Sequence, residues 1–462
     1  MSDAPWHVAV LGAGLAGLSA AHAIRRHALE RGRAVELAVW EGNDRPGGQL
    51  RTTVEDRFVV EWGANAFRTG VGPVADLVAR LGLQGEQVHA DPAANRRYVF
   101  HGGGLHLLPG DPMSLLNFTP MSVQGRLRVM AEPFLAERVD HDESVHDYAA
   151  RHIGAEAAEV LLGTMVRGVY GGDAHQLSVD AAFPVMREME RDHRSLVIAG
   201  IAGMKDRMRE RKTTWSFRGG MTVLIDALAA DLGDALHLGR RARSLTRDAA
   251  GGYHLEAADG TNERFDAVVL ALPPRPAADL LSALDREAGD DLRAIPSGPI
   301  GMAALAFERS ALRAAPDGFG FLVAPGEDLP VLGVLIESNV FPHRAPEGHV
   351  LLRAIQGGVA RPDLDDLGDE ALLSAAIDAI DRAWGIAAPP VRTWVGRQQR
   401  GIPQYVLGHL ERLERLEGRL RLLGGLHVAG NAYRGIAVGK IVEDAEHVAA
   451  AVWDEVPAPA VA

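Results

Sequence analysis

Three glycines at the spacing Gly12-x-Gly14-x-x-Gly17, in VLGAGLAGLSAAHAI (Val10–Ile24), are the residues of this chain whose pattern most directly implies chemistry. His7 to Leu11 reads as a short buried strand, and Leu15 to Arg31 carries Ala and Leu at helical spacing. The glycines, with Ala13, Leu15 and Ala16 beside them, therefore fall at a strand-to-helix turn. There Gly12 permits the tight turn, Gly14 lets backbone approach a pyrophosphate at the helix N-terminus, and Gly17 lets helix pack closely on strand. A second strand, Ala34 to Trp40, ends at Glu41, which is placed to accept hydrogen bonds from a ribose diol. A dinucleotide site is the reading; a glycine-rich turn without nucleotide is the bland alternative.

This pattern alone does not separate a nicotinamide from a flavin cofactor. The continuation EGNDRPGGQLRT (Glu41–Thr52), with Arg45, Pro46-Gly47-Gly48 and Arg51-Thr52, resembles the extended signature of the amine oxidase and protoporphyrinogen oxidase superfamily of FAD enzymes. Gly47 and Gly48 would let main chain run against the flavin end of the cofactor, and Arg45 would meet phosphate or ribityl oxygens. A surface loop rich in Arg and Gly is the other reading of Arg45.

The elements that must position these residues are spread along the chain. Phe58 to Asn65 reads as a strand entering a turn, Gly70 to Leu83 as an amphipathic helix, and 101 to 212 as a mostly helical insertion. Strand signals return at Leu236–Leu245, Gly252–Ala257 and Phe265–Leu272. Pro299 to Gly358 alternates apolar strands with turns, as an antiparallel substrate-facing sheet would, with a covering helix from Ala371 to Trp384. The segment GLHVAGNAYRGIAVGKIVEDAEHVAAAVW (Gly425–Trp453) is again strand (Leu426–Ala429), Gly-rich turn and helix (Lys440–Trp453), the helix N-terminus facing the flavin or its ribityl chain. The expected fold is α/β. A Rossmann-like FAD-binding domain is built from residues 1–85, 213–275 and 390–462, an α+β substrate domain from 86–100 and 276–389, and a helical, membrane-associating domain from 101–212.

Composition narrows the partners. With 462 residues, two or three domains are expected, and a net charge of -13 argues against nucleic acid. The absence of Cys excludes disulfides, thiolate metal sites, a Cys nucleophile and a flavin tethered through cysteine, so the FAD is expected to be noncovalent. No residue is assigned to a metal. The N-terminus has no basic n-region before its first apolar stretch, and no segment is a transmembrane helix. The expected location is cytoplasmic, with peripheral attachment to a membrane open.

Several longer stretches are more restricted than the glycine motif: VEWGANAFR, DPAANRRYVFHGGGLHLLP, RGVYGGDAHQLSVDAAFP, MERDHRSL, FRGGMTVLIDAL, APDGFGFLV, FPHRAPEG, GIPQYVLGHL and LHVAGNAYRGIAV. In this order they resemble the oxygen-dependent protoporphyrinogen oxidases, most nearly in their myxobacterial form. The resemblance implies oxidation of a porphyrinogen to a porphyrin by three rounds of hydride removal to flavin N5, with molecular oxygen reoxidising the flavin to give hydrogen peroxide. It implies cofactor contacts at Gly63, Ala64, Asn65, Ala242 (beside the adenine), Gly430, Asn431, Ile436, Ala437 and Val438. On the substrate side it implies that Arg97 pairs with a propionate, that Asn65 stands beside the flavin, and that the Gly172 carbonyl faces pyrrole N–H groups. Leu322, Leu335 and Ile355 would sandwich the macrocycle. A monotopic membrane surface, handover to ferrochelatase and a homodimer are further implications.

Alternatives stay open at this level. Arg96, facing the other way on the same strand, is the other candidate for the propionate, and Leu322, Leu335 and Ile355 are otherwise core residues. The excess of Lys and Arg over acidic residues in 187–218 suits anionic lipid or an ordinary solvated helix. His409 and His427 read as structural. Two departures from the family pattern are Gly439-Lys440-Ile441, which would set a lysine near the flavin, and GRQQRGIPQY, which lacks a tryptophan-proline pair before GIPQY. Coproporphyrinogen III oxidation, an FAD amine oxidase and a non-catalytic flavin-binding protein are the rival functions.

Overall fold

The computed structural model describes residues 5–68, 72–209 and 214–455. A five-stranded parallel sheet runs in the order Leu426–Val428, Ala267–Leu270, Trp6–Leu11, Val35–Trp40, Leu236–His237. At its centre Val8–Leu11, Ala38–Trp40 and Ala267–Leu270 are short apolar runs buried on both faces, as a parallel sheet requires. The helices Leu15–Glu30 and Val438–Asp454, from opposite ends of the chain, pack in one core on this sheet. The chain departs in both directions from the central strand Trp6–Leu11. A crevice therefore opens at the strand C-termini, where ligands of open α/β sheets bind.

The second large sheet has seven strands in the order Arg392–Pro403, Ser297–Glu308, His349–Gly357, Gly333–Ile336, Gly320–Val323, Arg97–His101, Gly104–Leu107. All neighbours are antiparallel except the pair Gly320–Val323 and Arg97–His101. One face buries Phe100, Leu305, Phe321, Val334 and Leu352 against the helix Asp369–Trp384. The other carries Met302, Ala304 and Leu351 against Trp62 and the hairpin of Thr52–Glu55 with Phe58–Glu61, and closes over the crevice of the first sheet. Helices between Pro112 and Arg209 form the insertion, packed on Val99 and Ala324 at one end of this sheet.

Three expected boundaries shift. The stretch from 101 opens with the strand Gly104–Leu107, because Gly102 and Gly103 both take positive φ (58° and 80°) and close a two-residue hairpin onto Arg97–His101. Residues 276–295 join the nucleotide unit: Leu280, Leu281, Ala288 and Leu292 share a core with Leu11 and Leu270. Residues 392–403 leave that unit and form the edge strand of the seven-stranded sheet. Gly396 sits inside this strand; a Cβ there would lie 2.3 Å from the Trp62 ring, so the glycine admits the indole. The helix expected from Gly70 runs Pro73–Arg80; residues 69–71, like part of the basic stretch 187–218, lie outside the described residues.

Candidate active site

A cavity of about 940 Å³ lies between the two sheets. Its dinucleotide half is built as the glycine pattern requires. Gly12 has φ 101°, and a Cβ there would stand 2.5 Å from the Ala271 carbonyl; a Cβ on Gly17 would stand 1.9 Å from the Gly12 carbonyl. Gly14, by contrast, faces open space, with no protein atom within 4 Å of an added Cβ. The glycine at the N-cap of Leu15–Glu30 thus leaves room in front of the first helical N–H groups, which is where a pyrophosphate is stabilised. Gly47 donates its N–H to the Ala13 carbonyl (2.7 Å), drawing the second glycine pair over the first turn.

Glu41 is buried and accepts the N–H of Ala13 (2.9 Å) on one oxygen and the N–H and side-chain amide of Asn43 (2.9 and 2.6 Å) on the other. Its fixed carboxylate has lone pairs left for a diol. Arg240, Arg241 and Ala242 line the same end, and Arg240 lies 5.4 Å above the Trp40 ring. A dinucleotide fits this half on every count: open space at Gly14, a helix N-terminus, an anchored carboxylate and flanking cations.

Of the expected cofactor residues, Gly12, Gly14, Leu15, Ala16, Glu41, Gly47, Gly48, Gly63, Ala64, Asn65, Ala242, Gly430, Asn431, Ile436 and Val438 line the cavity. Ala13 and Gly17 support the turn behind it, and Ala437 caps the helix Val438–Asp454. Arg45 does not reach the cavity; its guanidinium turns back on the carbonyls of Pro46 (3.2 Å) and Gly48 (3.4 Å) of its own loop. Lys440 is also outside, exposed and paired with Glu443 at 2.8 Å, while Ile441 takes the lining position. Gln49, given no role from sequence, ties the flavin end together. It donates to the carbonyls of Arg400 and Gly401 (2.6 and 2.7 Å) and accepts from Asn431 (3.4 Å). Tyr405 of GIPQY donates to the Asn431 carbonyl (2.6 Å) and receives the Gly435 N–H (2.9 Å), pinning the C-terminal turn. His409 stacks on Tyr405 at 4.2 Å, fully buried, with its pKa pushed down to about 4 by burial, and is structural.

The other half of the cavity is apolar, walled by Ile300, Met302, Leu332, Leu335 and Ile355 with Gly168, Val169 and Gly171 opposite. Leu335 and Ile355 are thus on the wall of the cavity. Leu322 is not: Gly168 has no side chain, a Cβ there would stand 2.4 Å from Leu322, and the leucine fills that gap against the helix Thr164–Tyr170 instead. Gly172 is displaced by one residue; Gly171 lines the wall, and its carbonyl accepts the Val359 N–H (2.8 Å). Strand register puts Arg97 opposite Gly320, Gly320 opposite Leu335 and Leu335 opposite Arg353, so Arg97 shares the sheet face of the apolar wall. It lies beyond the lining itself, over the Phe319 ring at 4.9 Å, with no carboxylate partner among the described residues. Burial, then the Arg68 cation, lowers its pKa. Arg96 faces the other way and is taken by Asp317 at 2.6 Å.

Behind the wall is a buried four-charge network absent from the sequence reading. Arg353 donates to Glu337 (2.7 Å) and to the carbonyls of Glu61 and Gly63 (both 2.9 Å). Arg344 pairs with Glu337 and with Glu61 (3.3 Å) and donates to the Asn65 carbonyl (2.7 Å). Burial acts to raise the Glu337 pKa, but Arg353 and Arg344 outweigh it and hold the carboxyl below its ordinary value; Glu61 is raised by burial despite Arg344. An ionised Glu337 only accepts, so the Asn65 side chain must turn its Nδ2 donors to it (3.3 Å to each oxygen). No histidine lines the cavity among the described residues, and its carboxylates, Glu41 and Asp279, come from the nucleotide unit.

A fold with a parallel nucleotide-binding sheet, a C-terminal turn returning to it and an antiparallel sheet roofing the crevice defines an FAD-dependent oxidoreductase. Residues 15–453 match the family of flavin containing amine oxidoreductases, to which the chain belongs. It is 30% identical to the chloroplastic protoporphyrinogen oxidase of Nicotiana tabacum over 96% of this chain and 84% of that one. It is 27% identical to the coproporphyrinogen III oxidase of Bacillus subtilis over 96% and 97%. A solved structure assigned as a protoporphyrinogen oxidase from Exiguobacterium sp. 255-15 superposes with a TM-score of 0.86 over 98% of this chain and all of that one, at 23% identity.

Proposed function

We propose that this flavoenzyme oxidises protoporphyrinogen IX to protoporphyrin IX in haem biosynthesis, with molecular oxygen as the final acceptor. The observation that carries the reading is the apolar sheet face roofing the flavin end of the cavity, continued along one line of strand register to Arg97, which has no carboxylate partner among the described residues. An apolar tetrapyrrole with propionates at one edge matches that surface. Bound FAD supplies the hydride acceptor and its reoxidation by oxygen. The chain's part is to bind, orient and exclude water: Met302, Leu335 and Ile355 cover the macrocycle, and Asn65, its Nδ2 turned to Glu337, offers Oδ1 to a pyrrole N–H. Among the described residues the lining offers no histidine as a base, in keeping with chemistry that rests on the cofactor.

The test is aerobic turnover of protoporphyrinogen IX, followed as porphyrin fluorescence, in wild type and Arg97→Ala. Loss of a charge-assisted contact of about 1.5–3 kcal/mol should raise KM by roughly tenfold or more, with flavin content intact. Unchanged KM and kcat would remove Arg97 from the site. Coproporphyrinogen III is the second reading, favoured by the Bacillus subtilis relative. Against it, Arg240, Arg241 and Arg243 stand at the adenosine end and Arg353 is consumed by Glu337, leaving Arg400 and Arg97 as the cations for four propionates.

No described helix is long and apolar enough to cross a membrane. The insertion does expose Met113, Val123, Leu127, Phe134 (90% exposed) and Leu135, which supports peripheral contact with the cytoplasmic face of a membrane. Arg187, in the basic stretch, is held by Asp180 and Glu190 (both 2.6 Å) and does not contribute. Flotation with anionic vesicles should carry the wild-type protein and leave Leu127→Glu/Phe134→Glu behind; wild-type protein that stays in the dense fraction would dismiss the surface.

A further inference from the structure

Among the described residues, one set of side chains away from the cavity converges as metal ligands do: His146, Glu159 and His175, whose ligand atoms all lie within 4.8 Å of one another. They come from three elements: the helix Val145–Ile153, the π-helix Ala158–Gly163 and the loop after Gly171. Their meeting is built by backbone. Val145 donates its N–H to the Leu177 carbonyl (2.8 Å) and His146 to the Ala174 carbonyl (2.9 Å), so the helix start and the loop are stitched together. The Asp173 carboxylate receives the His175 N–H (2.9 Å), and the two imidazoles lie face to face at 3.8 Å. Glu159 reaches to 3.8 Å of His175 Nε2 from a π turn, a rare local winding that re-aims side chains and is concentrated at functional sites.

A second feature separates this trio from a chance surface cluster. His146 Nδ1 stands 3.3 Å from the Asp147 carboxylate. A carboxylate there holds the proton on Nδ1 and leaves Nε2 as the free lone pair, the outer-shell arrangement found behind metal-bound histidines. The side chain of His146 is 17% exposed, whereas those of His175 and Glu159 are 56% and 46% exposed. The histidine is therefore the fixed ligand, and the other two are free to rotate onto an ion at bond lengths of about 2.0–2.2 Å.

We propose that His146, His175 and Glu159 bind one zinc-class divalent ion. Two imidazoles and one carboxylate, without a thiolate, select a borderline metal over Mg2+ or Ca2+, which take oxygen ligands. Three protein ligands leave an open position for water. The ion would clip the loop from Gly171, itself a cavity-wall residue, to the helices of the insertion.

The experiment is calorimetric titration of tag-free, chelator-stripped holoenzyme with ZnCl2, with MgCl2 in a parallel arm. The expected result is one saturable site of micromolar affinity for zinc and none for magnesium. His175→Ala should weaken it by roughly a hundredfold and Glu159→Gln by roughly tenfold, with flavin content and metal-free Tm unchanged because both side chains are largely exposed. Absence of saturable zinc binding, or equal affinity in His175→Ala, would overturn the site. Flavin absorbance in each variant reports folding independently of zinc and of turnover.

Discussion

Gly14→Val is expected to fold and to lose its flavin. The backbone at Gly14 has φ -73° and ψ 177°, open to any residue, and no protein atom lies within 4 Å of an added Cβ. The apo fold therefore accepts the side chain, and only the space ahead of the helix N-terminus is filled. Purified variant should be colourless, with FAD affinity lower by a thousandfold or more, about 4 kcal/mol or above, and an apo Tm matching that of wild-type apoprotein. Gly17→Val is the contrast. Its Cβ would stand 1.9 Å from the Gly12 carbonyl, so the helix must leave the sheet and the fold itself should fail. Wild-type FAD content in Gly14→Val would show that the pyrophosphate lies elsewhere.

Arg353→Met is expected to cost about 3–5 kcal/mol of folding stability, read from urea unfolding of the apoprotein. Two arginines balance two carboxylates in a region where all four side chains are at most 2% exposed. Removing Arg353 leaves Glu337 with Arg344 as its one cation, beside the Asn65 amide, and frees the carbonyls of Glu61 and Gly63. The pH dependence carries its own sign. In wild type the Glu337 pKa is depressed, so its contribution is complete above the ordinary value of 4.5 and is lost as pH falls through the folded value. Glu61 is raised, so its contribution is complete below 4.5 and lost as pH rises through its folded value. With Arg353 gone, burial should dominate at Glu337 too. The difference from wild type should then shrink on acidification from pH 7.5 toward 5, and Glu337→Gln in the Arg353→Met background should recover part of the loss. A stability difference that grows on acidification would contradict the charge balance described.

The nucleotide half was readable because close backbone contacts there dictate a residue type, glycine, rather than a side-chain position. Gly12, Gly17 and Gly47 each sit where a Cβ would strike a carbonyl within 2.6 Å, so residue type reports backbone geometry directly. Arg45 stands in the same signature, but a flexible surface side chain is not dictated in this way, and it bonds its own loop. The substrate half was readable in outline and misplaced in detail. The resemblance assigns Leu322 to the macrocycle, and strand register does turn it to the face of Ile355, but whether such a side chain meets ligand or helix depends on Gly168, 154 positions away in sequence. The charge network is unreadable for a stronger version of the same reason. Arg353 interrupts the apolar run HVLLRAIQGG, and the Glu61 carbonyl it serves is 292 residues distant. That an arginine inside a fully buried strand must have partners was the available signal. His146, Glu159 and His175 are separated by 13 and 16 positions, a spacing that matches no metal motif and acquires meaning only once the loop folds back on the helix.

The most direct measurement is the initial rate of porphyrin fluorescence when FAD-loaded protein meets protoporphyrinogen IX in air, beside coproporphyrinogen III and a control for spontaneous oxidation. The geometry of the apolar wall and the single register line to Arg97 predicts turnover of both above the control, with protoporphyrinogen IX the faster. Rates no higher than the control for either substrate, from protein carrying a full complement of FAD, would contradict the assignment.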